Sequence, residues 1–131
     1  MASNYSGPRN FYTSIYFLLK GDQFSSFHRL QSDEIWNFHQ GCALTIFVIS
    51  ENGELTENRL GNNFENGEHF QHLVPAGCWF VAVPVDENGF SLVGCSMAPG
   101  FDFDDFELAN RKELTKEYPQ HTHLITRFTN A

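Results

Sequence analysis

The sequence predicts an all-β fold, a sandwich or barrel, from two observations. Three Asn-Gly pairs, at 52–53, 66–67 and 88–89, lie beside short runs rich in β-branched and aromatic residues. Asn-Gly favours the positive φ angles that two-residue hairpins require, and short strands at this spacing argue against alternating βαβ units. The 131 residues also include 14 Phe and only 2 Met. Such a content of rigid rings suits a small barrel better than a thin helical pair.

The chain opens with a segment that has no periodicity. Residues 1–10 mix Ser, Asn, Gly and Pro, so we expect 1–12 to form a flexible arm, or one that packs on a neighbour. The first predicted strand, 13–19, is rich in β-formers and stops at the turn 20–22. The later predicted strands are 24–30, an aromatic strand that ends at Gly41, 43–49, 54–60, 69–74, 79–85 and 90–97.

The C-terminal part changes character at Gly100. Asp102 and the acidic residues after it suit the N-cap and first turn of a helix. We therefore predict one or two short helices within 104–118, ended by Pro119, and a tail at 121–131. The sequence thus indicates one domain over 13–120, a β-barrel with a short C-terminal helical segment.

Charge and cysteine content exclude several classes of function. Lys and Arg number 8 and Asp and Glu 16, giving a net charge of −8 without a basic run, which disfavours nucleic-acid binding. There is no apolar run near the ~18–20 residues that span a bilayer, and no signal-peptide pattern, so we predict a cytoplasmic protein without a membrane partner. Cys42, Cys78 and Cys95 are odd in number, which predicts reduced, mostly buried thiols.

Candidate chemistry concentrates in the stretch 27–41, a polar strand that turns and continues into the aromatic strand. Side chains two apart on a strand point the same way, so His28 and Glu34 can face one cavity from neighbouring strands. An imidazole titrates near neutral pH and a carboxyl group can exchange protons with it. The residues therefore predict a general base and its acid partner. An alternative is that both side chains only hydrogen-bond a ligand or each other.

The spacing of His28, Glu34 and Gly41 resembles the first conserved motif of the cupin superfamily. In that motif two histidines two apart precede a glutamate, and a glycine follows seven residues later. Leu30 stands where the second histidine would be.

The second cupin motif, Pro-x-Gly with a histidine three residues on, resembles the stretch that begins with Pro75 and Gly77. Phe80 occupies the place of the histidine there. Two of the four usual metal ligands are therefore replaced. His39, His69 or His72 could complete a metal site from another strand, which leaves a divalent metal as an alternative to the predicted absence of any cofactor.

More specifically, the stretches 13–19, 26–36, 71–77 and 99–109 resemble a branch of small single-domain cupins that is similar in fold to sugar-nucleotide epimerases. Members of that branch usually carry an extra helix and strand before the first shared strand, at which this chain almost directly begins. The resemblance implies a cupin-type jelly roll, a homodimer, and a small-molecule pocket. The predicted ligand-binding residues are Leu30, Trp36, Phe38, Gln71 and Phe80, and the alternative for the aromatic ones is that they belong to the core.

We therefore expect an enzyme that acts on a small, partly apolar molecule by metal-independent acid/base chemistry of the isomerase, epimerase or cyclase type. His28 and Glu34 are its predicted catalytic residues. Two alternatives remain: a non-catalytic small-molecule-binding cupin, and a metal-dependent cupin enzyme with an incomplete ligand set.

Overall fold

Short strands are the main regular structure of the protein, as seen in a computed structural model that describes residues 5–130. Two short helices follow them, α1 (Arg111–Glu117) and α2 (Thr122–Arg127), and 3₁₀ turns lie at Phe64–Asn66, Phe103–Asp105 and Pro119–His121. The strands are β1 (Thr13–Lys20), β2 (His28–Arg29), β3 (Glu34–Gly41), β4 (Leu44–Ile49), β5 (Leu55–Leu60), β6 (Glu68–His69), β7 (Gln71–Val74), β8 (Trp79–Pro84), β9 (Phe90–Met97) and β10 (Glu107–Leu108). The all-β prediction with a short C-terminal helical segment is confirmed.

The strands form two sheets. One has the order β1-β9-β3-β7 and the other the order β10-β2-β8-β4-β5-β6. The paired strands are antiparallel except β5 and β6, which run parallel. Consecutive strands such as β1 and β2, or β3 and β4, lie in different sheets, so the chain passes repeatedly from one sheet to the other.

The core lies between the sheets because each strand turns alternate side chains toward the other layer. From the four-stranded sheet, Trp36 and Val93 are almost fully buried. They belong to one cluster with Leu44, Ile46 and Phe80 of the six-stranded sheet. Aromatic rings therefore form part of the interior beside many aliphatic side chains, whereas Phe11, Phe64 and Phe103 are exposed.

The three Asn-Gly pairs lie in three different kinds of connection. Asn52-Gly53 lies in the β4–β5 hairpin, where Gly53 has φ 88°. Gly67, with φ 78°, ends the 3₁₀ turn before β6. Asn88-Gly89 lies between β8 and β9, which belong to different sheets. This third pair is a connection between layers and not a hairpin.

The C-terminal residues correct the prediction of a tail at 121–131. Through residue 130 they form α2 and its flanks, and Ile125 and Phe128 are buried against Phe27 and Trp79. α1 packs in the same cluster through Leu114. The apolar positions of α2 thus cover the outer face of the six-stranded sheet, a burial that the short polar-looking segment did not indicate.

The expected flexible arm at 1–12 is also corrected over the part that the structure describes, from residue 5. Arg9 donates two hydrogen bonds to Asp105, at 2.8 and 2.7 Å, and both side chains are at most 3% exposed. Tyr5 donates to the carbonyl of Gln31. The segment is therefore tied to two loops of its own domain, while the expectation for residues 1–4 lies outside the described residues.

Within residues 5–130, the helices are too short and too polar to cross a membrane.

Candidate functional site

A cavity of about 370 Å³ opens between the two sheets. His28 of β2 and Glu34 of β3 both line it, as the strand periodicity predicts. Its other walls come from β1, β3, β9 and the loops around Ser25 and Phe101. The lining residues are Thr13, Ile15, Phe17, Ser25, His28, Glu34, Trp36, Cys95, Met97, Phe101 and Phe106.

His28 presents a neutral base to the cavity. Its Nδ1 lies 2.8 Å from the carbonyl oxygen of Ser26. Because a carbonyl oxygen only accepts, Nδ1 carries the proton and Nε2 keeps its lone pair. Burial lowers the pKa of His28, although the Ser26 bond opposes this shift. The ring lies 4.2 Å from that of Phe80 and 5.2 Å from that of Phe106 between centroids, so packing fixes its plane.

Ser26 holds the carbonyl that fixes this tautomer in an unusual backbone conformation. Its φ is 57°, in the left-handed region that residues with a side chain rarely occupy. Its buried hydroxyl has no hydrogen-bond partner among the described residues. Local strain of this kind persists where the surrounding structure enforces it, often beside functional groups. In this backbone conformation the carbonyl oxygen of Ser26 lies within hydrogen-bond distance of the His28 imidazole.

Glu34 supplies the acid. Burial raises its pKa to about 7, and the hydrogen bond from Trp36 Nε1 to Oε1, at 2.9 Å, opposes the shift without cancelling it. A large share of the carboxyl group is therefore protonated near neutral pH and can donate a proton. Among the described residues no hydrogen bond joins Glu34 to His28. The two side chains were expected to pair with each other, but each is held by its own hydrogen bond to a different group. Both can therefore contact a ligand in the cavity.

Polar groups that the sequence reasoning missed also line the cavity. Thr13 Oγ1 accepts from the amide of Phe101, and Ser25 Oγ from that of Ala82, both at 2.8 Å, so their hydroxyl protons remain available to a ligand. Burial, with Glu34 close by, raises the pKa of Cys95, whose thiol stays protonated. Side chains alternate between the two faces along β1, so residues 13, 15 and 17 face the cavity together. This alternation was the sequence signal that β1 lines the cavity.

Of the five predicted ligand contacts, only Trp36 lines the cavity. Phe80 packs behind His28, and Leu30 and Phe38 belong to the core packing. Gln71 is exposed and donates to Asn37 Oδ1 at 3.0 Å on the outer face of its sheet. The structure therefore does not bring these four residues to the lining of this cavity, and their ligand contacts stay predictions.

The donor set does not fit the metal that cupins commonly carry. Within residues 5–130 no three His, Cys, Asp or Glu side chains are placed to bind one ion, whereas a tight site needs three or more ligands. His39 is exposed against Tyr16, His69 is exposed beside Phe64, and His72 does not reach the cavity. The three histidines proposed to complete a site therefore do not converge on His28 and Glu34.

Comparisons with known proteins agree with this architecture. A family model described as Cupin superfamily (DUF985) matches residues 1–109. An uncharacterized protein of Saccharomyces cerevisiae is 33% identical over 102 residues, which cover 74% of this chain and 50% of the relative. The chain therefore spans about half the length of that curated relative.

Solved structures extend the comparison. A protein from Shewanella oneidensis is 47% identical with a TM-score of 0.90, over 99% of this chain and 80% of that one. A dTDP sugar isomerase from Desulfovibrio desulfuricans is 10% identical with a TM-score of 0.63, over 84% of this chain and 71% of that one. At such low identity the second likeness shows the fold alone.

Proposed function

The chain belongs to the DUF985 family of the cupin superfamily, and from that premise we propose that its cavity binds a small molecule and transfers protons on it without a metal. The reaction type is that of an isomerase, epimerase or cyclase. His28 and Glu34 are the proposed catalytic residues. What carries the proposal is that a neutral imidazole and a carboxyl group with its pKa raised to about 7 line one cavity.

The chemistry follows from the protonation states. His28 Nε2 takes a proton from an acidic C–H of the substrate, while the Glu34 carboxyl group donates its proton to the substrate oxygen that gains the electron pair. In the second half the His28 imidazolium returns a proton to a different carbon, and Glu34 recovers its own from the enol oxygen. Inversion at the same carbon requires that the enol first turn its other face to His28, because one base serves one face. No net charge enters or leaves the cavity, but the first half forms an imidazolium and a carboxylate, and the attraction between them offsets part of their desolvation.

The working pH follows from the same two groups. His28 must be unprotonated and Glu34 protonated, and burial moves the pKa of the first down and that of the second up to about 7. Their active forms therefore coexist from the lowered pKa of His28 to about pH 7. We propose that activity is highest on the acidic side of neutrality and falls above pH 7 as Glu34 ionises.

Solvent hydrogen exchange tests the proposal without knowledge of the substrate. The protein is incubated in D₂O with a small-molecule extract of its source organism, and mass spectrometry identifies compounds that gain deuterium. We expect at least one such compound with the wild type, and a loss of about 100-fold or more in the rate with His28→Gln and with Glu34→Gln, the scale of general acid–base catalysis.

The matched controls are His39→Gln and Glu57→Gln, which change the same side chains on outward or exposed positions. Both should exchange at the wild-type rate. Full exchange in the two cavity variants would contradict the proposed roles, and so would equal losses in the controls.

A second candidate function is a non-catalytic binding module. It is favoured by one observation, that His28 and Glu34 are anchored separately and each can serve a ligand as a hydrogen-bond partner alone. A ligand that copurifies and is recovered unaltered after denaturation, together with no deuterium gain, would support this reading. The metal-dependent alternative would require stoichiometric metal in protein purified without chelator.

We also propose a homodimer and a cytoplasmic location. β1 is an edge strand of its sheet and exposes Tyr16 (79%) and Leu18 (53%). A free edge with apolar side chains is a template for another strand, and a second copy can cover it with the same strand in an isologous contact. Three free cysteines support the reducing compartment.

A further inference from the structure

Among residues 5–130, the cavity lining contains no group that carries a positive charge at neutral pH. None of the 8 Lys and Arg residues of the chain lines it. Its titratable groups are His28, Glu34 and Cys95. Burial keeps the imidazole neutral and the thiol protonated, so Glu34 decides whether the cavity is neutral or negative.

The guanidinium groups of Arg9 and Arg29 pair with carboxylates that do not line the cavity. Arg9 is held by both oxygens of Asp105. Arg29 pairs with Glu107 at 3.0 Å and lies 4.5 Å above the ring of Trp79, outside the cavity. An anion in the cavity would lose its water beside the Glu34 carboxyl group without gaining a cation, which is strongly unfavourable.

The walls favour a flat apolar molecule. Phe17 and Trp36 lie 6.0 Å apart between ring centroids, and Phe101 and Phe106 lie 6.5 Å apart. The volume, about 370 Å³, falls within the ~300–1,000 Å³ of small-molecule sites. The donors that face the ligand are a carboxyl group and two hydroxyls, and the acceptor is an imidazole nitrogen.

We infer that the cavity binds an uncharged, ring-bearing small molecule that accepts a hydrogen bond from Glu34, and that it rejects anions such as phosphates, nucleotides and carboxylates. The inference rests on the proposed function in one respect, that this cavity is the ligand site. The preferred substrate class is thus a neutral cyclic or aryl carbonyl compound, whose oxygen takes the Glu34 proton while His28 faces the adjacent C–H.

Binding of three matched probes tests the inference. They share a phenyl ring and a short chain and differ in charge: 4-phenylbutan-2-one is neutral, 3-phenylpropanoate an anion, and 3-phenylpropan-1-amine a cation. Fluorescence of Trp36 reports binding in a Trp79→Phe background, which removes the other Trp from outside the cavity and deletes a buried indole N–H that has no partner in the described residues. At about pH 6 we expect the ketone to bind at least ~10-fold more tightly than either ion.

A charge inserted at the cavity mouth supplies the second arm. Ile15 lines the cavity and is 59% exposed, so Ile15→Arg adds a cation without burying it. We expect it to raise the affinity for 3-phenylpropanoate by ~10-fold or more relative to that for the ketone, with both probes measured on the same variant. Leu55→Arg, an apolar-to-Arg change at another exposed position, on β5, should change neither affinity.

The outcomes separate this inference from the proposed function. Equal or tighter binding of the anion or the amine by the Trp79→Phe protein, or failure of all three probes to bind, would overturn the inference. Ketone preference in a protein that exchanges no substrate protons would support the inference and contradict the catalytic proposal. Anion preference in a protein that does exchange substrate protons would contradict the inference and support the catalytic proposal.

Discussion

At the scale of single residues, burial acts on His28 and Glu34 with the same result. It favours the uncharged form of each, because a charge in an apolar surrounding loses its water. In water the charged forms of the two side chains have opposite signs, whereas burial in the cavity favours the uncharged form of each. A base and an acid that are both uncharged are the combination that moves protons on a neutral molecule at modest cost.

Glu34→Gln should change stability in a pH-dependent way. The folded-state pKa of about 7 exceeds the ordinary 4.5, so the folded protein binds this proton more tightly than the unfolded chain. Wild-type stability therefore declines as pH rises from about 4.5 to about 7, by about 3 kcal/mol in all, and no further above that. Gln does not titrate, and its amide oxygen can still accept from Trp36. Urea unfolding should show the variant more stable by up to about 3 kcal/mol at pH ~8 and equal to the wild type at pH ~4.5.

The titration of His28 is common to both proteins and cancels in this difference. Glu57→Gln, on the exposed strand β5, serves as the control and should show no such trend. A difference between wild type and Glu34→Gln that did not vary with pH would show that the carboxyl group is not held protonated by the fold.

At the scale of elements, the C-terminal helix α2 acts as part of the core and not as a tail. Ile125 is fully buried in the cluster that includes Phe27 and Trp79. Ile125→Ala should lower the free energy of unfolding by about 2–5 kcal/mol, since it removes buried methyl groups and leaves a cavity. Thr126→Ala, exposed in the same helix, should stay within about 0.5 kcal/mol of the wild type. Equal effects in denaturant unfolding would contradict the packing role.

The N-terminal segment and the loop that carries Phe101 and Phe106 are joined by one buried ion pair. Arg9→Met leaves the Asp105 carboxylate, 2% exposed, without its partner, and such uncompensated charges destabilise a fold strongly. We expect a clear fall in melting temperature and weaker binding of the ketone probe, because this loop forms a cavity wall.

The matched control is Arg29→Met, which breaks the pair with Glu107 at side chains 40% and 55% exposed. Exposed pairs contribute about 0–1 kcal/mol, so its melting temperature should change little. Equal effects of the two substitutions in calorimetry would mean that the Arg9 pair is no stronger than a surface contact.

At the scale of the whole molecule, the unpaired edge of β1 predicts self-association. Light scattering should give twice the mass of one chain for the wild type, and Tyr16→Lys with Leu18→Lys should shift it toward one chain, since charges on an edge strand oppose pairing. Leu55→Lys, another exposed Leu on a strand, should leave the mass unchanged. A wild-type mass of one chain at micromolar concentration would contradict the homodimer.

The comparison of prediction and structure is most favourable where local pattern and burial agree. The strand run 44–49, the hairpin at Gly53 and the cavity positions of His28 and Glu34 were all predicted. Each depends on a period of two or on a turn residue, which neighbouring residues encode. The family resemblance was likewise carried by short motifs, and the match over residues 1–109 confirms it.

The sequence by itself determined the fold class and the placement of the His28 imidazole and the Glu34 carboxyl group toward one cavity, because side-chain type and spacing carry these. It also places Leu30 and Phe80 at two positions where the cupin motifs have histidine. Only the tertiary structure decided that Phe80 packs against His28 and does not line the cavity, and that β1 and residues 101–106 complete the walls. It also decided that no Lys or Arg side chain of the described residues enters them. Those facts depend on which strands become neighbours and how deep each side chain lies. Contacts between residues distant in sequence set both, and the charge preference of the cavity follows from them.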